Sequence, residues 1–272
     1  MKTLYYFFAI CFIFAACKKS NIPEEPEDEP CHYVEFIQPL LECMNMPRPD
    51  DSYCYTCYIG TKNDECFKTG WNDDWIEAFQ IPTTILEEMS TQAVIQAIWE
   101  FPRFFIIAAS FAYQWCFEYY FSNNNAYMEL VKRSNAGTAL LERLGLVVIC
   151  QGGRSINDPW TFEILSFEIL MSQPVFLSQL NDNDKKKVVE ITLRNSDIMD
   201  AIDDRLVWFP NYILIGKTML SAGYTPFIEA VNDDEELKCF LDGFKDNQTY
   251  LYYDMIFDPQ TILDFGKEFL NQ

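Results

Sequence analysis

The chain has 272 residues, 49% of them hydrophobic and 23 of them Phe, with 41 Asp and Glu against 20 Lys and Arg for a net charge of −21. So acidic a chain repels phosphates, which argues against nucleic acid and against electrostatic docking on anionic lipid. The apolar share excludes disorder for most of the length, and a single His excludes catalysis by a multi-His zinc centre.

The first seventeen residues set where the rest resides. Lys2 precedes an apolar run from Leu4 to Ala16, and the run ends in Phe14-Ala15-Ala16-Cys17. A charged start, a short apolar core and small residues before a cut form an export signal. As a helix the run spans roughly 20 Å, too short for a hydrocarbon layer of about 30 Å. Phe-Ala-Ala-Cys resembles a bacterial lipobox, so residues 1–16 are expected to be removed and Cys17 to carry the acyl anchor. An ordinary secretory signal beside a chance Cys is the alternative. Residues 17–30 hold the lipidated Cys and a tether rich in Pro and acid, with nothing to bury. Glu24, Glu25, Glu27, Asp28 and Glu29 loosely resemble the acidic stretch that accompanies display on the outer face in Bacteroidetes-type lipoproteins.

Residues 31–75 form a Cys-rich region in which Cys31, Cys43, Cys54, Cys57 and Cys66 stand among turn formers. With Cys116, Cys150 and Cys239 they make an even set of eight, which outside the cytoplasm predicts disulfides, most of them within 31–66. Cys54-Tyr55-Thr56-Cys57 leaves two alternatives, a zinc site completed by Cys66 with Cys31 or His32, and a redox pair. A redox pair of thioredoxin type needs a βαβ setting, and none is visible.

Residues 76–272 are helical in pattern. Pro82 suits a first turn, Ser90 a cap, and Val94, Ala97, Ile98 and Phe101 make one apolar stripe that ends near Pro102. Phe104 to Phe117 carries no charge and predicts a buried helix or a tight helix pair. Asn123-Asn124-Asn125 breaks the chain and can cap 126–132; Asn135 can cap a helix from Ala136 to Leu144 that ends at Gly145. Leu146-Val147-Val148-Ile149 is strand-like, but its neighbours make it a connector or a helix end. Trp160 to Ser172 is apolar on more than one face and therefore central. Further helices are expected at 184–194, at 212–222 before Gly223, at 234–241 before Gly243, and after Asp258-Pro259, where Ile262, Phe265 and Phe269 repeat. No repeat of fixed period is readable. Consecutive helices without a credible sheet predict an all-α fold.

Three segments carry a resemblance: Ile85 to Gln96, Phe162-Glu163-Ile164-Leu165, and Ala222-Gly223-Tyr224-Thr225-Pro226-Phe227. They resemble a group of uncharacterised helical lipoproteins and secreted proteins of gut Bacteroidetes, over about residues 66–245. The resemblance implies helical pairs of HEAT type, a multi-helical α-α superhelix behind the Cys-rich front. It implies location and fold, and no catalytic motif.

A Ser-His-acid triad would have to use His32, in the Cys-rich turn region. No nucleophile elbow, phosphate-cradling loop or dinucleotide fingerprint is present. Acid pairs occur at Asp50/Asp51, Asp73/Asp74, Asp203/Asp204 and Asp233/Asp234, a residue type a glycoside hydrolase uses in pairs, though most are expected to be caps or solvated surface. Most of the six Trp are expected in the core. The turn Trp71, Asn72, Asp73, Asp74, Trp75 is the expected binding surface, since planar apolar and polar groups together suit a glycan or a peptide. The resulting expectation is a lipid-anchored protein of the outer-membrane surface that binds a protein or glycan without catalysis, with no cofactor and no resident metal. The alternatives are a surface hydrolase with paired carboxylates and an accessory lipoprotein of nutrient capture.

Overall fold

The structure is a computed structural model. It describes residues 49–51, 80–101, 104, 106–109, 113–147, 159–202, 209–242 and 260–272, all within the unit Cys31–Gln272. The signal, Cys17, the tether, the five cysteines 31 to 66 and the Trp71–Trp75 turn lie outside the described residues.

Among the described residues every element is a helix and none is a strand, as an all-α fold requires. Pro82, with φ −52°, leads into α1 (Thr83–Glu88). Ser90 Oγ accepts from Ala93 N at 3.2 Å and opens α2 (Thr91–Trp99). The uncharged stretch that follows is a helix pair, α3 (Ile106–Ala109) and α4 (Tyr113–Phe121). Asn124 Oδ1 accepts from Tyr127 N at 3.0 Å and starts α5 (Asn125–Lys132). Then come α6 (Ala136–Leu146), the apolar α7 (Pro159–Met171) and the single turn α8 (Pro174–Leu177). Asn181 Oδ1 accepts from Asp184 N at 3.0 Å at the start of α9 (Asp182–Ile202). After α10 (Phe209–Ser221) the chain turns at Gly223, whose φ of 70° is the left-handed conformation that favours glycine. Last are α11 (Thr225–Asp233), α12 (Glu235–Leu241), capped by Asp234 Oδ1, and α13 (Gln260–Leu270).

Several details differ from the sequence expectation; α10, for one, starts at Phe209 and not at Tyr212. α6 runs through Gly145 to Leu146, because Leu144 and Val147 are both fully buried and hold the last turn against its neighbours. The strand-like run therefore begins inside a helix. α9 continues past Arg194 to Ile202, because the polar pair Asn195 and Ser196 faces inward and Met199 is buried beyond it. Asn135 does not cap α6; its Oδ1 accepts from Thr91 Oγ1 at 2.9 Å and ties α6 to α2 instead.

The packing has a regular order. The pair α3 and α4, then α7, then α10, then α13 pack in succession, and α2, α6 and α9 pack in succession beside them. The core follows the first succession and takes in Trp99 of α2: Trp99, Phe104, Phe117, Phe121, Phe167 and Ile213 are at most 2% exposed. Rings lock it, with Trp99 and Phe167 centroids 4.8 Å apart and Phe117 stacked on Phe121 at 5.1 Å. The expected stripe is part of this core, since Val94, Ala97, Ile98 and Phe101 are at most 1% exposed.

Hydrogen bonds join successive units at long and similar sequence separations. Thr91 bonds Asn135, Arg133 bonds the Met89 carbonyl, Gly137 N bonds Gln179 and Gln179 bonds the Arg133 carbonyl, over 42 to 46 residues. Two cations close helix ends. The Arg133 guanidinium donates to the Met89 and Leu86 carbonyls at 2.7 and 3.2 Å, and Lys185 Nζ to the Ser221 carbonyl at 2.7 Å. No helix among the described residues is long and apolar enough to cross a membrane.

Candidate functional site

Two of the four acid pairs fall among the described residues, and both are used in capping. Asp51 accepts from Ser90 N at 2.6 Å and from Ser90 Oγ at 3.1 Å. The backbone hydrogen bond from Ser90 is the main cause that holds the Asp51 carboxyl below its ordinary 3.8. Asp233 ends α11 and Asp234 caps α12. Among the described residues no group of three or more His, Cys, Asp or Glu is placed to hold a metal.

The tryptophans divide. Trp99 is 1% exposed, in the core, whereas Trp115 is 44% exposed. The reason lies in the helical register of α4. Tyr113, Cys116, Phe117, Tyr120 and Phe121 turn inward and are buried. Trp115, Glu118, Tyr119 and Ser122 recur at i, i+3, i+4 and i+7, which places them on one outward face. Glu118 and Ser122, the polar members of this set, are the sequence signal that could have marked Trp115 as an outward residue.

On that face the Trp115 and Tyr119 rings stack, with centroids 5.5 Å apart and planes at 15°. Tyr119 in turn meets Tyr120 edge-on at 5.2 Å, so the outer stack is fixed to the core by a half-buried ring. Buried polar groups tie α4 to its neighbours. Gln114 Nε2 donates to Glu118 Oε1 at 3.0 Å and to Gln173 Oε1 at 3.2 Å. Gln173 Nε2 donates back to Gln114 Oε1 at 3.3 Å and to the Ile169 carbonyl at 2.8 Å. Lys217 Nζ of α10 donates to Gln114 Oε1 at 3.4 Å. α4 is thereby held by the turn after α7 and by α10 while Glu118 remains exposed. Tyr127 lies close by, its ring edge-on to Phe117 at 5.2 Å. Burial first, and then the Glu118 charge, push the Tyr127 hydroxyl up to about 12, so it stays a protonated donor.

A second polar group lies inside the fold. Gln96 Nε2 donates to Glu100 Oε1 at 2.8 Å, and the Arg143 guanidinium donates to Gln96 Oε1. Burial pushes the Arg143 guanidinium down to about 10, against the opposing effect of the Glu100 charge. The three side chains are at most 6% exposed and join α6 to α2, so this group serves packing.

The arrangement on α4 suits recognition. It offers a stacked aromatic pair with an exposed carboxylate on the same helix face. No family model matches the chain, no curated protein matches it, and no solved structure matches it.

Proposed function

We propose that this is a lipid-anchored protein of the cell envelope, held at the outer-membrane surface by acyl chains on Cys17, whose helical body binds a saccharide without catalysis. The observation that carries the binding reading is the stacked and exposed Trp115–Tyr119 pair with Glu118 beside it. The C–H groups of a pyranose ring lie well on the negative face of an indole, and a planar carboxylate or amide accepts from or bridges neighbouring hydroxyls. A platform held in place before the ligand arrives loses little side-chain freedom on binding.

The anchor reading rests on Phe14-Ala15-Ala16-Cys17 at the end of the apolar run. The finer architecture is a HEAT-type array. Its support is the recurring order of short helix, turn, second helix and apolar helix, with hydrogen bonds from each unit to the next.

The binding test is a glycan array probed with the full chain and with Trp115→Ala and Glu118→Gln. Binding to one saccharide class, lost in Trp115→Ala at an unchanged unfolding midpoint, is expected. Equal binding by wild type and Trp115→Ala overturns the assignment of the site, and no binding at all overturns the saccharide reading. Labelled fatty acid should enter the wild type and not Cys17→Ala; equal labelling removes the anchor.

A further inference from the structure

α7 is apolar along most of its length, yet Glu168 sits in it with no solvent exposure. An ionised carboxylate there would cost several kcal/mol unless it were paired with a cation. Its partners are amides. Asn211 Nδ2 of α10 donates to Glu168 Oε1 at 3.2 Å, and Asn211 is itself fully buried. Asn195 of α9 brings its amide to the same carboxyl, although its Nδ2 makes no hydrogen bond of standard geometry.

The atoms left over are informative. Glu168 Oε2 and Asn211 Oδ1 are both buried and both without a partner. Both are acceptors when Glu168 is ionised, so neither can satisfy the other. One proton changes this: a protonated carboxyl is a donor, and side by side an acid and an amide exchange two hydrogen bonds.

We infer that Glu168 and Asn211 form a neutral acid–amide pair, with a proton on Glu168 Oε2 donating to Asn211 Oδ1 while Asn211 Nδ2 donates to Glu168 Oε1, and that this pair locks α10 to α7 until the proton is lost. Burial holds the carboxyl well above its ordinary 4.5, with the Asn195 amide opposing. No charge on a neighbouring element is among the causes of that shift. α3 carries no titratable side chain. On α4 stand Tyr113, Cys116, Tyr119, Tyr120 and Glu118, the last bonded to Gln114. α6 brings Glu142, which accepts from Gln92, and Arg143, bonded to Gln96. α9 brings Arg194, which donates to the Val147 carbonyl and Asn195 Oδ1, and the exposed Asp197. α10 brings Tyr212 and Lys217, the latter bonded to Gln114.

The folded chain keeps a proton that the unfolded chain releases near 4.5, so the contribution to stability is complete below 4.5 and is lost as pH rises toward the folded value. Over that window one such group changes the unfolding equilibrium by up to about tenfold per pH unit.

Glu168→Gln is the decisive variant, because a Gln amide makes the same two hydrogen bonds to Asn211 and cannot titrate. Urea unfolding of the full chain is measured from pH 5 to pH 9 for wild type and variant. The variant should fold at every pH, and the wild type should lose stability relative to it as pH rises. A constant difference across the range overturns the pair. Infrared spectra give a reading independent of folding energetics. Wild type grown with carboxyl-13C glutamate should show the carbonyl band of a protonated acid at neutral pH, missing in Glu168→Gln. Carboxylate bands alone, the same in both chains, overturn it as well, and the infrared test decides even where the variant does not fold.

Discussion

Ile98 and Ile85 are one residue type in adjacent helices with opposite surroundings, and the same substitution should separate them. Ile98 has no exposed surface, on the inner stripe of α2, whereas Ile85 on α1 is 42% exposed. Ile98→Asp removes a fully buried side chain worth about 1.5–3 kcal/mol. It also leaves a carboxyl among Val94, Ala97 and Phe101, where burying an unpaired charge costs several kcal/mol more. The sum is at least ~5 kcal/mol, against a whole-domain stability of about 5–15 kcal/mol. At about 2–4 °C per kcal/mol, the unfolding midpoint should fall by about 10 °C or more, or the chain should fail to accumulate. Ile85→Asp should stay within about 0.5 kcal/mol of wild type. Thermal unfolding followed by circular dichroism measures both. Equal midpoints for the two variants would mean that the α2 stripe is not the core, and the packing of α2 on α5 and α6 would have to be redrawn.

Two further outcomes follow from particular contacts. A Cβ on Gly137 would overlap the Phe176 carbonyl oxygen and press on Gln179 Cβ, and backbone cannot step aside. Gly137→Ala should therefore cost about 1–3 kcal/mol despite the better helix propensity of Ala. At Gly216 the nearest obstacle is the end of the Leu241 side chain, so Gly216→Ala should cost less; urea midpoints that reverse this order refute the reasoning. The Asp51 carboxyl lies below 3.8, so what it adds by bonding Ser90 is present above that pH and lost as pH falls through its folded value. Asp51→Asn should be less stable than wild type at neutral pH and converge with it in acid; a gap that stays constant down to pH 2 would contradict this assignment.

Helices were legible where a local signal and a tertiary need coincide. Ser90, Asn181 and Asp234 announce helix starts because a short polar side chain serves the orphan N–H groups whatever packs nearby. Gly223 announces an end for a similarly local reason. The end of α9 was not legible, because Arg194-Asn195-Ser196-Asp197 has the composition of a terminus while Asn195 and Ser196 are in fact inside. The one-turn α8 could not be foreseen from four residues, too few for any period to register. The site shows the same division. Trp99 and Trp115 both stand in aromatic stretches, and only the polar residues at i+3 and i+7 from Trp115 show which one faces water. Glu168 gave no signal of its burial, since an acid in an apolar helix commonly marks the wet face; its amide partner lies 43 residues away.

The placement of the charges decides what the exterior presents to its surroundings. Arg143 and Lys185 are 2% and 8% exposed, and the Arg133 side chain lies across the end of α1 at 14%. These positive charges are committed to the interior and to helix ends, and the acids Glu100 and Glu168 are buried as well, so the exterior keeps the strongly acidic balance of the whole chain. Two copies brought together on one plane would repel each other, over about 8 Å at physiological salt and farther in dilute buffer. Lowering the salt should then widen the spacing of crowded copies, and divalent cations should close it. The same acidity would thus set how densely these molecules can stand side by side.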